Sequence, residues 1–298
     1  MKYSKLYRRR FVFVYAWIAV LMFFFVVLRF LPIVSTFTLS LFRWELIRPY
    51  RPFIGFENFV KLAGDANFHE AIGNTTIFAL IVVAFSLVLS LMAALALEKK
   101  IFGSAVFETL YFLPYVIPLV PIALTWKWIY DPTHGLLNYL LGLVGVAKQG
   151  WLIQPHLALP SIMFMTVWQR IGYNMVIFIV GLKAIPSELF EAARMDGAGR
   201  WQGFRWITFP LLLPIVFYLM VINTIEAFQV FTQVFVMTTG TQAVPAANVR
   251  VLVMDIYQNA FRFFHIGYAS AESVILFLII LIFSLIQFGL FRSRGGLS

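Results

Sequence analysis

There is no cysteine in these 298 residues. Disulfide frameworks, thiolate metal sites and cysteine nucleophiles are therefore excluded. Charge is scarce as well: Asp, Glu, Lys and Arg make up 12% of the chain, against 61% hydrophobic residues and a mean hydropathy of +0.87. That balance is the composition of a polytopic membrane protein and leaves little chain for a soluble domain. His134 and His156 have no partner at ligand spacing, so no metal site is expected. The phosphate-cradling pattern GxxxxGK[ST] is missing, and no grouping of nucleophile, base and orienting residue is readable. An enzyme is not expected, and no cofactor is expected to be bound by this chain.

What is present is a series of long apolar runs. Six of them, roughly 11 to 31, 74 to 97, 107 to 129, 158 to 182, 209 to 234 and 270 to 291, match the about 20 residues that a helix needs to cross a bilayer. The expected fold is all-α, with six transmembrane helices in a domain over 11–291 and short tails at 1–10 and 292–298. The basic start imitates a signal peptide, but Phe11 to Leu31 is too long for its apolar region, so it reads as a retained first helix.

The net charge of +10 takes its meaning from placement. With the N-terminus inside, the inner segments hold Lys2, Lys5, Arg8, Arg9, Arg10, Lys99, Lys100, Lys183, Arg194, Arg200, Arg205, Arg292 and Arg294. The longer outer loops hold Arg43, Arg48, Arg51, Lys61, Lys148, Arg250 and Arg262. The positive-inside rule therefore puts both termini in the cytoplasm, and no nucleic-acid partner is expected.

Along the chain, Arg29 in helix 1 is expected to snorkel. The outer loop RWELIRPYRPFIGFENF contains helix-breaking Pro49 and Pro52 and a short apolar turn at Phe56, Phe59 and Leu62, a landing surface for an external protein. Helix 2 carries Ala84, Ser86, Ser90, Ala93 and Ala94, small residues that permit close helix contacts. Pro114, Pro118 and Pro121 predict that helix 3 is bent or unwound. Trp126, Trp128 and Tyr130 form an aromatic belt, with Lys127 snorkelling between them.

Polar groups lie deep in the later helices. Gln169, Arg170 and Asn174 sit inside helix 4, where an ionisable residue costs about 2.5–3.5 kcal/mol unless it meets a cavity or a partner. Helix 5 adds Asn223, Glu226, Gln229 and Gln233, a spacing that draws one stripe on one face. Counting helical rise from the inner ends places Arg170 at about 18 Å, Glu226 at about 25 Å and Glu272 at about 28 Å. Two readings stand: a solute-lining cavity, or an ion pair of Arg170 with Glu226 or Glu272 that only joins helices.

Between helices 4 and 5, Pro186 and Ser187 signal a helix start, with Glu188 and Glu191 in its first turns. Gly197 and Gly199 interrupt it, and Arg200 to Thr208 forms a second piece before Pro210 begins helix 5. The product is either a rigid knob over 183–208 or an ordinary interfacial loop.

On these residues, Glu191, Ala192, Ala193, Asp196, Gly197, Ala198, Ile207 and Pro210, the chain resembles the EAA loop of permeases of binding-protein-dependent ABC importers. GFENFVKL, NTTIF, YFLPYVIP, WKWIYDPTHGLLN, GYNMVIF and GYASA extend the resemblance to the carbohydrate-type subfamily. Glu108, the stretch Met237 to Ala243 and Glu272 depart from its pattern, and the C-terminal FRSRGGLS resembles the first permease of a heterodimeric pair. The resemblance implies the type I importer permease fold in the cytoplasmic (inner) membrane of a bacterium or archaeon. It implies a second permease, a cytoplasmic ABC ATPase dimer that binds ATP and magnesium, an extracytoplasmic solute-binding protein and membrane lipid as partners. The implied solute is a sugar or sugar-like molecule, with glycerol-phosphate or another polyol derivative as the alternative. In that reading the EAA loop is the coupling helix, and Arg170, Asn174, Asn223, Glu226, Gln229, Gln233 and Glu272 are the pathway candidates. The rival is an ion-coupled secondary transporter or channel using Arg170, Glu226 and Glu272.

Overall fold

The computed structural model describes residues 2–47, 50–98, 103–239 and 249–293. Lys99, Lys100, Arg48, Pro49, Arg294 and most of the Met237 to Ala243 stretch lie outside the described residues. The described chain forms fourteen α-helices: α1 (Lys2–Phe25), α2 (Leu31–Leu39), α3 (Glu57–Gly64), α4 (Ala66–Glu98), α5 (Ser104–Val116), α6 (Leu119–Ile129), α7 (Leu136–Leu143), α8 (Pro155–Lys183), α9 (Ser187–Met195), α10 (Arg200–Gly203), α11 (Phe209–Phe228), α12 (Thr232–Thr238), α13 (Leu252–Tyr257) and α14 (Ile266–Ser293). Among the described residues, five continuous helices are long and apolar enough to cross a membrane, namely Tyr7–Leu39, Ala66–Glu98, Pro155–Lys183, Arg200–Phe228 and Ile266–Arg292. The pair α5 and α6, bent by 99°, is a sixth candidate if the two helices form one broken span. Ile117 and Pro118 are extended there, because a residue before proline is pushed out of the helical region.

Prolines explain two of the differences from expectation. Helix 1 was expected to end at 31 but runs on to Leu39 through a π-turn at Val26–Phe30. The second piece of the loop was expected to stop before Pro210. Instead α10 continues through a π-turn at Phe204–Thr208 into α11. In both cases the carbonyl four residues before the proline, Leu28 or Trp206, lies inside the widened turn. That carbonyl is the one a proline ring clashes with and deprives of its donor, so the π-turn absorbs the defect without breaking the helix. The expected tail 1–10 is helical from Lys2, since Lys and Arg are good helix formers and nothing there breaks the pattern. The tail expected from 292 is likewise helical through Ser293.

Two compact units divide the chain. The first comprises Met1–Asp65 and Ile256–Ile275. In it Phe42 bridges Phe53 and Glu45 bridges His265, while the buried Asn58 donates from Nδ2 to the carbonyls of Ser40 at 2.8 Å and Phe42 at 3.1 Å. The expected turn around Phe59 is the helix α3, and Leu62 is fully buried. Glu57 accepts from Lys61 and Arg43, whose charges hold its carboxyl below the usual carboxylate range. The side chains of α1 from Tyr7 to Phe25 are exposed throughout.

The second unit comprises Ala66–Asp255 and Leu276–Ser298, with α8 at its centre. Ser86, Ser90 and Ala94, four residues apart, are fully buried on one face of α4, and Ser90 Oγ donates to the Ile171 carbonyl at 3.1 Å. Ala84 was expected among these contacts but is exposed, being on the far side of the helix. Ala94, Met175, Phe178, Leu182, Leu212 and Leu219 join α4, α8 and α11 in one core. Glycines set the spacing: a Cβ on Gly172 would sit 1.9 Å from the Tyr111 carbonyl oxygen, and one on Gly181 2.0 Å from Ile215 Cδ1. Lys127, expected to snorkel, instead donates to the carbonyls of Val236, at 3.3 Å, and Thr239. A helix end leaves its last carbonyls without backbone donors, and a cation there is favoured by the helix dipole.

Gly172→Ala pushes against backbone that has no room to yield. It is expected to destabilise the purified protein by about 1–3 kcal/mol, read as a lower unfolding midpoint in detergent. Gly203→Ala, which faces open space, is expected to leave the midpoint unchanged or raise it.

Candidate functional site

The interior of the second unit contains a polar cluster made by α8 and α11. Arg170 and Asn174 are one turn apart on α8, and Asn223 and Glu226 are one turn apart on α11, so two pairs face each other across a single helix interface. Arg170 Nη1 donates to Glu226 Oε2 and, at 3.2 Å, to Asn223 Oδ1. Asn223 Nδ2 donates to Asn174 Oδ1 at 3.0 Å and to the Leu219 carbonyl at 2.7 Å. Arg170, Asn174 and Asn223 are buried, whereas the Glu226 side chain is 45% exposed. Arg170 Nε has no hydrogen-bond partner among the described residues. The ion pair thus has a buried cationic end and an exposed acidic end.

Three tyrosines extend the cluster. Tyr115, two residues before the break between α5 and α6, stacks on Tyr173 with ring centres 4.6 Å apart and planes at 22°. The Tyr173 and Tyr218 hydroxyls are 3.4 Å apart. Sequence reasoning missed all three. Their signal was depth: tyrosine favours the membrane interfaces, so tyrosines in the middle of apolar runs marked a polar interior.

The remaining pathway candidates are distributed differently from the expected stripe. Helix α11 ends at Phe228, leaving Gln229 exposed just past its end and Gln233 buried on α12. Phe228 and Val230 are both buried, and one straight helix would turn residues two apart by about 200° from one another. Burying both on neighbouring elements bends the chain. Glu272 is fully buried in the first unit and accepts from Asn259 Nδ2 at 3.0 Å. Arg170 pairs with Glu226.

The loop after α8 has a different construction. Helix α9 ends on Asp196, followed by Gly197 at φ +77°. The Ala198 N–H donates to the Ala193 carbonyl at 2.8 Å and the Gly197 N–H to the Arg194 carbonyl at 3.0 Å. These are the two bonds of a Schellman cap, which needs glycine at the left-handed position. The spacing from Ala193 to Gly197 and Ala198 is thereby a geometric requirement. Gly199 N–H, bonded to Gln202 Oε1 at 2.7 Å, starts α10. The knob exposes Glu191 and Asp196 together with Met195 at 89%, Trp201 at 73% and Trp206 at 73%. Ile207 lies in the π-turn and Pro210 in the first turn of α11, both on the continuous helix. A third feature is a polar cavity of about 520 Å³ in the first unit, lined by Arg43, Glu45, Lys61, Asp65, His265 and Tyr268 among others.

Residues 86–294, which include α8, the knob and α11, match the family described as binding-protein-dependent transport system inner membrane component. The chain belongs to that family. It is 37% identical over 268 residues to the probable ABC transporter permease protein YurN of Bacillus subtilis (strain 168), covering 89% of this chain and 91% of the relative. It is 30% identical to the trehalose/maltose transport system permease protein MalF of Thermococcus litoralis, covering 89% and 88%. The crystal structure of a bacterial ABC transporter involved in the import of the acidic polysaccharide alginate contains a chain with the same fold. That chain has a TM-score of 0.84 and 22% identity, with 97% of this chain and 99% of that one covered. The protein is therefore a multi-pass inner-membrane permease component of an ABC importer, with relatives that carry sugar-type solutes.

Removing one member of a buried charge pair strands the other. Glu226→Gln is expected to destabilise this permease by about 1–3 kcal/mol, softened from a fully buried pair by the exposure of the carboxylate. Arg170→Met with Glu226→Met should recover most of that loss. Unfolding midpoints of the single and double variants check this.

Proposed function

We propose that this permease forms half of the translocation pathway of an importer for a neutral, hydroxyl-rich solute, delivered by an external binding protein and driven by a separate ATPase seated on the α9 knob. The observation that carries the reading is the knob itself: a capped turn with two acidic and three large apolar side chains exposed on one short segment. Such a surface suits a protein cleft better than water.

Connectivity supplies the mechanism. Arg200–Phe228 is one helix of 29 residues, so the knob and Glu226 are ends of a single rod about 40 Å long. The other side of the knob joins α8 through the short turn at 184–186, and α8 carries Arg170. Closure of the ATPase dimer on ATP and magnesium, both held by that partner, would displace the knob. The movement reaches the two helices that bear the ion pair and shifts them between inward-facing and outward-facing arrangements. The knob end is cytoplasmic in this reading, and the polar cavity around Arg43 and Asp65 belongs to the face that receives the binding protein.

Charge balance narrows the solute. Arg170 is neutralised by Glu226, so the cluster has no cation to spare for a phosphate or uronate group. Asparagine amides, tyrosine hydroxyls and the stacked rings of Tyr115 and Tyr173 suit the hydroxyls and apolar ring faces of a sugar. Glycerol-phosphate, the alternative, would require positive charge from the second permease.

Charge reversal at Glu191 or Asp196 is expected to abolish co-purification of the ATPase while the permease still inserts. Solute uptake in vesicles free of any ATPase would overturn the proposal in favour of ion coupling. Tyr173→Leu and Gln229→Ala are expected to raise the KM for uptake about tenfold, the equivalent of about 1.4 kcal/mol. Unchanged KM in both variants would make the cluster a structural joint between helices.

A further inference from the structure

An open apolar cavity of about 440 Å³ in the second unit, lined by α6, α7 and the start of α8, has no part in the pathway described above. Its size lies within the range of small-ligand sites. Three polar side chains of its wall are already engaged: Tyr130 OH donates to the Ser161 carbonyl at 3.1 Å, Ser161 Oγ to the Trp151 carbonyl at 3.2 Å, and Trp151 Nε1 to Asn138 Oδ1 at 3.0 Å. With the rest of the lining apolar, an occupant finds few hydrogen bonds to make, which disfavours a sugar and makes water a poor filling.

The cavity is held open from behind. Buried Asn138 donates to the carbonyls of Pro132 at 3.2 Å and Gln149 at 2.9 Å and accepts from the Gln149 N–H at 3.0 Å. Gly135 packs so closely that a Cβ would lie 2.3 Å from the Asp131 carbonyl oxygen. These contacts fix α7 to its neighbours, and Trp126 meets Phe164 edge to face with ring centres 5.6 Å apart. The lining cannot collapse inward without breaking this frame, so an empty cavity would forfeit the dispersion contacts of its whole wall.

Position identifies the occupant. The cavity lies where the crossing helix α6 ends and α8 begins, beside Trp126 and Tyr130, the aromatic pattern of a membrane interface. Its mouth is apolar, with Leu136 44%, Leu140 49% and Phe164 62% exposed. We infer that this cavity is a binding site for one acyl chain of a bilayer phospholipid, entering from the membrane side and filling the space behind α7. The lipid braces α7 against α6, the half-helix whose Lys127 holds the end of α12.

A photoreactive benzoylphenylalanine at exposed Leu140, in the membrane-embedded complex, tests this through the mass of the adduct formed on illumination. The expected product is a phospholipid adduct that is lost when Leu137→Trp or, in a separate variant, Leu157→Trp fills the cavity. A second benzoylphenylalanine at Leu285, an exposed position on α14, should give a lipid adduct that neither filling variant changes. Two outcomes overturn the site: a lipid adduct at Leu140 that persists undiminished in both filled variants, or an adduct with a second polypeptide in its place. Native mass spectrometry of the washed complex provides an independent reading, with a retained phospholipid expected in the wild type and its loss in both filled variants. Equal retention in all three would likewise overturn the inference.

Discussion

A bilayer offers the backbone no hydrogen-bond partner, so a crossing chain must satisfy its own amides within each segment. Three departures from a straight helix in this permease answer that constraint. Pro32 and Pro210 each remove a donor and would expose a carbonyl. The π-turns at Val26–Phe30 and Phe204–Thr208 place that carbonyl in a wider turn and keep the helix continuous. At Ile117 and Pro118 the chain takes the other course and breaks by 99°. Broken backbone at depth is tolerated where it lies in protein or borders a cavity, and Tyr115 of the polar cluster stands two residues from this break.

In the proposed mechanism, the continuity of α10 with α11 matters more than the loop motif does alone. A hinge at Pro210 would have let the knob move without moving the membrane helix. With the π-turn in place, the α10 part of the knob, Ile207, Pro210 and Glu226 belong to one rod, and the ion pair to Arg170 ties that rod to α8. The Schellman cap at Gly197 keeps the knob itself stiff. A displacement at the exposed end has few soft joints in which to dissipate before it reaches the cluster.

Much of this was legible in the residues. Hydropathy alone located the crossings, proline placement predicted the bend in the third, and glycine at 197 predicted the stop of α9, because each of these is a local property of the chain. The EAA pattern was legible only as a resemblance to a family; the structure adds that its spacing is that of one helix end, with both hydrogen bonds closing within six residues. The π-turns were not readable, since a proline inside an apolar run signals equally a break, a kink or an absorbed defect.

The sequence by itself therefore determined the long apolar helices, their order, the bend in the third and the interruption at Gly197. Only the tertiary structure decided that Arg170 meets Glu226 while Glu272 is held by Asn259, that α11 stops at Phe228 to bury Val230, and that Tyr115, Tyr173 and Tyr218 gather around the pair. The physical reason is that helical rise fixes how deep a residue lies but not which way its helix is turned. Azimuth is set by packing, here by Gly172 against Tyr111 and Gly181 against Ile215, and those contacts join residues far apart in the chain.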